Sequence, residues 1–200
     1  MRNIFISFFF GFGALIVVGV YSLGIFGAGT KEVVTVTATP SPFVPYATAA
    51  PTLSPTPQAT ALPGRVVHSA PFTAQAPFGD WADPRQQGAC EESTMLMAVR
   101  WARGEVINRD SVLEDIFTLS DFGKKRFGTI RDTSAKDTAL FATEFLGYTN
   151  VSVHDGPTID DIRTAIASGA VVAIPTNGQV IWNPYYTPQG SAYHMVLIIG

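Results

Sequence analysis

From Val33 to Gly64 the chain reads VVTVTATPSPFVPYATAAPTLSPTPQATALPG, without a charge or a histidine. Proline fixes φ and removes a backbone donor, and the apolar residues here follow neither a helical nor a strand period. No packed core is expected from such a stretch. It reads as a stalk or linker (30–64), semi-extended where it is polyproline-like, with a reach of at most about 100 Å. Its Ser/Thr/Pro bias is also compatible with O-glycosylation. The folding unit is thereby confined to residues 65–200.

Ahead of the stalk, Ile4 to Phe26 carries no charge, about the 20 residues a helix needs to cross hydrocarbon. Arg2 and the terminal amine lie on one side, Lys31 and Glu32 on the other. The positive-inside bias favours a cytoplasmic N-terminus. A cleavable signal has an apolar core of about 7–15 residues, so this length favours an uncleaved transmembrane anchor over residues 1–29, with a signal peptide as the alternative. Either reading places the remainder outside the cytoplasm, tethered to the cell membrane or secreted.

Of the 13 Lys/Arg and 16 Asp/Glu, only Arg2, Lys31 and Glu32 fall outside the folding unit, which leaves it mildly acidic. Its one basic block, Lys124 to Gly128, reads as a solvated turn, and no nucleic-acid partner is expected. Helical patterns come early: Ala89 to Arg103, apolar on nearly every face and stopped at Gly104; a segment opened by a capping box at Ser111–Glu114; and Ser134 to Leu146. Thr158 to Gly169 has a Thr cap and acidic first-turn residues. Asn150–His154, Ala170–Ile174 and Tyr193–Gly200 read as strands, and Asn177–Tyr186 as an irregular strand with a turn. Ala76 to Gly88 reads as a loop. Helices early and strands late make an α+β class, with a mixed or antiparallel sheet. Because Gly200 directly follows an apolar run, we expect the domain to continue past it.

Cys90 is the one cysteine. Outside the cytoplasm thiols usually pair, so a lone one is a buried inert thiol, half of an intermolecular disulfide, or a nucleophile. It lies at a helix start, where free N–H groups and the helix dipole favour a thiolate, while Glu91 and Glu92 oppose one and make a cationic partner necessary. Of the three histidines, His68 borders the stalk, His154 ends a short strand, and His194 opens the apolar strand HMVLIIG. A thiol on a helix start, an imidazole on a strand and an amide donor for an oxyanion are the components of a thiol acyl-transfer site. Cys90 and His194 supply the first two; Gln75, or one of Gln86 and Gln87, supplies the third. One cysteine with scattered histidines gives no zinc spacing, and no metal or cofactor is expected.

The segments APFTAQAPFGDWADPRQQGACEESTMLMAVRWARG and GSAYHMVLIIG, in that order, resemble the peptidase C39-like domains of the papain-like cysteine peptidase superfamily. The resemblance covers about Ser69 to Gly200. It implies a papain-like fold, with the Cys-bearing helix buried against the sheet. It also implies Cys90 as nucleophile, His194 as general base and Gln75 as oxyanion donor. Where many members carry Cys-Gly-Pro, this chain carries Cys90-Glu91-Glu92. The Asp or Asn that orients the histidine would fall beyond Gly200. The implied function is hydrolysis of a peptide bond in a peptide or protein substrate through an acyl-enzyme. The alternative is a catalytically inactive module of the same fold that binds peptide or cell-wall fragments.

Overall fold

The computed structural model describes residues 3–6, 32–35, 62–181, 183–186 and 190–200. Two strands come first, β1 (Asn3–Ile6) and β2 (Glu32–Thr35), followed by the helices α1 (Pro84–Gln87), α2 (Cys90–Arg103), α3 (Arg109–Phe127) and α4 (Ala135–Leu140). A π-helical turn (Phe141–Phe145) leads to β3 (Val151–Asp155), α5 (Ile159–Ala167), β4 (Ala170–Thr176) and β5 (His194–Ile198). The sheet runs β2-β3-β1-β4-β5. β1 is parallel to β3 and β4, while β4–β5 and β2–β3 are antiparallel. The described residues are therefore α+β with a mixed sheet.

Local chemistry explains most of the helix ends. Asn108 Oδ1 accepts from the N–H groups of Asp110 and Ser111 and opens α3, so the cap lies three residues ahead of the expected one at Ser111. α3 then runs through Lys124, Lys125 and Arg126 to a left-handed Gly128. The basic block is thus the last turn of a helix, where cations complement the dipole, rather than a surface turn. Thr158 caps α5 reciprocally with Asp161. Inside the expected loop at 76–88, Asp83 accepts from the Arg85 N–H and starts the one-turn α1. The expected strand at Asn177–Tyr186 is instead a series of turns, held by the Asn177 and Asn183 side chains accepting from the N–H groups of Gln179 and Tyr185.

The anchor and stalk expectations change where the two early strands form. Asn3–Ile6 pairs with β4 over Asn3↔Ala170 to Ile6↔Ala173, so Ile4 begins no helix. A short apolar run such as NIFI fits strand and helix alike, and the unpaired backbone edge of β4 decides it. Glu32–Thr35 likewise pairs with β3 instead of opening a coreless stalk. The remainder of the expected anchor and stalk, 7–31 and 36–61, lies outside the described residues. No helix among the described residues is long and apolar enough to cross a membrane.

The main core lies between α2, α3, α4 and one face of the sheet, around Met95, Leu96, Ile116, Leu119, Phe141 and Met195. A smaller one joins α5 to the other face through Ile166, Val172 and Ile198. His68, which borders the stalk in sequence, is docked. Its N–H donates to Ile199 O (2.7 Å), its Nε2 donates to Ile166 O (2.9 Å), and its ring lies 5.2 Å from that of Trp101. The segment leading to Gln75 is thus held along the free edge of β5.

Candidate active site

α2 carries Cys90 to the sheet by its Cys90–Thr94–Met97 face. Thr94 Oγ1 donates to Met195 O (3.4 Å), which places the helix start beside the residue that follows His194. Helix residues four apart share a face, so Cys90 stands one turn above Thr94, over the same strand. Cys90 and His194 line one cleft with two lobes, of about 480 and 390 Å³. Gln75, Trp81, Tyr185 and Tyr186 line both lobes as well.

Sharing a cleft is not yet a catalytic pair. No hydrogen bond joins Cys90 Sγ to His194 among the described residues. Met195 and Leu197 pack with the α2 core, and Ile198 packs with α5. His194 reaches the cleft from the first position of β5. Its ring meets the edge of Tyr186 at 5.4 Å. Burial pushes its pKa down, so at neutral pH it is an uncharged imidazole.

The partner of the thiol is a carboxyl that adjoins it in sequence. Cys90 Sγ donates to Glu91 Oε2 at 2.9 Å. Glu91, 1% exposed, accepts at Oε1 from the Thr133 N–H (2.7 Å) and hydroxyl (3.3 Å). Thr133 Oγ1 also shares a hydrogen bond with Thr138, and Tyr193 OH donates to Thr133 O (2.9 Å). Burial, then the Glu91 charge and its hydrogen bond, push the Cys90 thiol well up, while the Met195 backbone N–H acts in the other direction. Burial raises Glu91 and, further, Glu92. Burial and Glu91 together raise the Tyr193 phenol. The resting site is a protonated thiol beside a neutral imidazole.

The three candidate amides separate clearly. Gln75 alone lines both lobes, and its Nε2 donates to Gln86 O (3.0 Å) and Gln87 O (2.9 Å). It braces the turn ahead of Cys90 with both of its amide protons. Gln87 donates to Trp81 O and accepts from Arg131 (2.7 Å). Gln86 is buried, with its Oε1 unpartnered, and lines neither lobe. The backbone N–H groups of the first helical turn, that of Cys90 included, have no intrahelical acceptor and form a second source of donors beside the thiol.

Sequence reasoning did not find Thr133, Tyr193, Asp132 or the aromatic rim. Asp132 is the one described non-glycine residue at positive φ (54°), and it lines the smaller lobe. Phe72 (80% exposed) and Tyr185 (92%) stand at the mouth of the larger. The cluster PYY ahead of His194 was the available signal for the rim; nothing near Asp132 in sequence pointed to a cleft. Compared with family models, curated proteins and solved structures, the chain matches none of them.

Proposed function

We propose that this chain is a thiol-dependent peptidase or amidase of the peptidase C39-like kind, with Cys90 as nucleophile and His194 as base. The observation that carries this reading is the shared cleft. The lone thiol, at a helix start, and the strand-end imidazole line one groove of substrate size together with Gln75. Pockets of roughly 300–1,000 Å³ suit small ligands and peptide side chains. In the cycle His194 takes the Cys90 proton, the thiolate attacks the carbonyl, and the Cys90 N–H with the Gln75 amide holds the oxyanion. His194 then protonates the leaving amine, and water hydrolyses the thioester. Substrate must draw the imidazole onto the thiol and release one Gln75 proton from its carbonyl. Catalytic contacts commonly tighten only in the substrate complex. The uncharged run through Phe26 supports a tether at a membrane with the domain outside the cytoplasm. Protease treatment of intact cells should then digest the domain, and its protection would rule that placement out.

The decisive experiment compares the full chain with Cys90→Ser on an unbiased peptide library. Loss of all cleavage in the variant is expected; unchanged cleavage would sink the assignment. A second reading, a non-catalytic peptide-binding module, is favoured by the donation of the Cys90 S–H to Glu91 instead of to His194. Alkylation by iodoacetamide separates the two. Added peptide should accelerate it through His194 if the site is catalytic, and should only protect the thiol if the site merely binds.

A further inference from the structure

The two lobes meet at Cys90 and His194 but differ in chemistry. The larger is walled by Pro71, Phe72, Met97, Tyr185, Val196 and Leu197. Two of these stand far out of the surface, Tyr185 at 92% and Phe72 at 80% exposure. Large rings held in water beside an apolar groove gain most when a ligand covers them. The smaller lobe adds Gln87, Arg131, Asp132, Ser191 and Tyr193. Of its two charged groups, the Arg131 guanidinium already donates to Gln87 Oε1 at 2.7 Å. The Asp132 carboxylate accepts no hydrogen bond and joins no ion pair among the described residues.

The Asp132 backbone is also held in place, with the residue exposed at the cleft. Its left-handed backbone (φ 54°) lies between a Thr129 turn, in which Thr129 Oγ1 donates to Arg131 O (2.9 Å) and accepts from the Arg131 N–H (3.0 Å), and Thr133, anchored on Glu91. A left-handed conformation costs a non-glycine residue free energy, least for Asp and Asn, and persists where the surroundings impose it. Here they place an uncommitted anion in a cleft that also holds the thiol.

We infer that the cleft takes an extended peptide with a bulky apolar, preferably aromatic, residue on one side of Cys90 and a basic residue on the other, the latter paired with Asp132. This rests on the peptide-acting reading above but concerns recognition, so it is tested without turnover. The full chain carrying Cys90→Ala is titrated with fluorescein-labelled peptides by anisotropy. Each holds Phe and Lys, in both orders and with none, one or two serines between them, and is compared with Lys→Gln and Phe→Ala versions. The best Phe/Lys peptide should bind roughly threefold to tenfold more tightly than its Gln version. Asp132→Asn, which tolerates the same backbone, should erase that difference and keep the Phe preference. Tyr185→Ala should weaken the Phe preference and keep the Lys one. Equal binding of Lys and Gln peptides, or a Lys advantage that survives Asp132→Asn, overturns the inference. Cleavage assays with the Cys90 chain keep the two ideas apart. Cleavage without flank preference removes the subsites alone; flank preference without Cys90-dependent cleavage removes the peptidase reading alone.

Discussion

The two halves of the candidate site are built differently. Around Cys90 a chain of buried hydrogen bonds runs inward: the thiol to Glu91, Glu91 to Thr133, and Thr133 to Thr138 and Tyr193. Among the described residues the His194 ring has one aromatic contact, the edge of Tyr186 on a segment of turns, while the His194 backbone is held in β5 and its O accepts from Thr176 Oγ1 (2.9 Å). The difference teaches that the thiol is stored protonated within an acid network, while no hydrogen bond joins the His194 ring to that network among the described residues.

The largest effect we expect comes from the His194 half. His194→Gln should lower kcat by roughly 10²–10⁴-fold while the melting temperature changes little, since among the described residues the ring makes no side-chain hydrogen bond and meets the edge of Tyr186. Activity within threefold of the parent chain would break the comparison, for His194 would then not be the base.

The tightly held half should respond through stability. A Cβ at Gly88 would lie 2.5 Å from Arg131 Cγ and 2.6 Å from Ile130 O. Backbone cannot yield as a side-chain end can, so Gly88→Ala should cost about 1–3 kcal/mol in urea titration. It should also shift the segment that carries Asp132 and Thr133. An unchanged urea midpoint would show that this wall is softer than described.

Two acids give the smallest and most specific effects. Glu91→Gln removes the second cause of the raised Cys90 pKa, so the pH midpoint of iodoacetamide alkylation should move down. A midpoint that stays or rises would detach Glu91 from the thiol. Glu92, buried on the same turn, binds its proton more tightly in the folded chain than the ordinary value of 4.5 implies. Its contribution to stability is therefore complete below that value and is lost as pH rises toward the folded one. Glu92→Gln should flatten this decline and stabilise the chain at neutral pH by about 1 kcal/mol. A decline of equal slope in the variant would mean that another group titrates there.

Much of the frame was legible because its causes are local. The apolar run after Cys90, with Gly104 behind it, specified α2, and Thr158 with Asp161 specified the start of α5. Alternation and apolar runs marked β3, β4 and β5. The misplaced cap of α3 shows the limit of such signals, since Ser111 and Asn108 are both good caps and only the helix geometry chooses between them. The N-terminal strands were illegible for a different reason: Asn3–Ile6 is a strand only because the edge of β4 lies beside it.

For the site, the sequence by itself determined the parts: one thiol at a helix start, one histidine opening an apolar strand, and a few amides upstream. Those follow from composition and from periodicity over a few residues. Tertiary structure alone decided that Gln75 reaches the cleft and Gln86 does not, that Thr133 holds Glu91 across 42 positions, and that His194 and Cys90 share a groove without touching. Such facts depend on which distant segments pack together. Packing is set by the summed burial of many side chains rather than by the short-range preferences that a sequence displays.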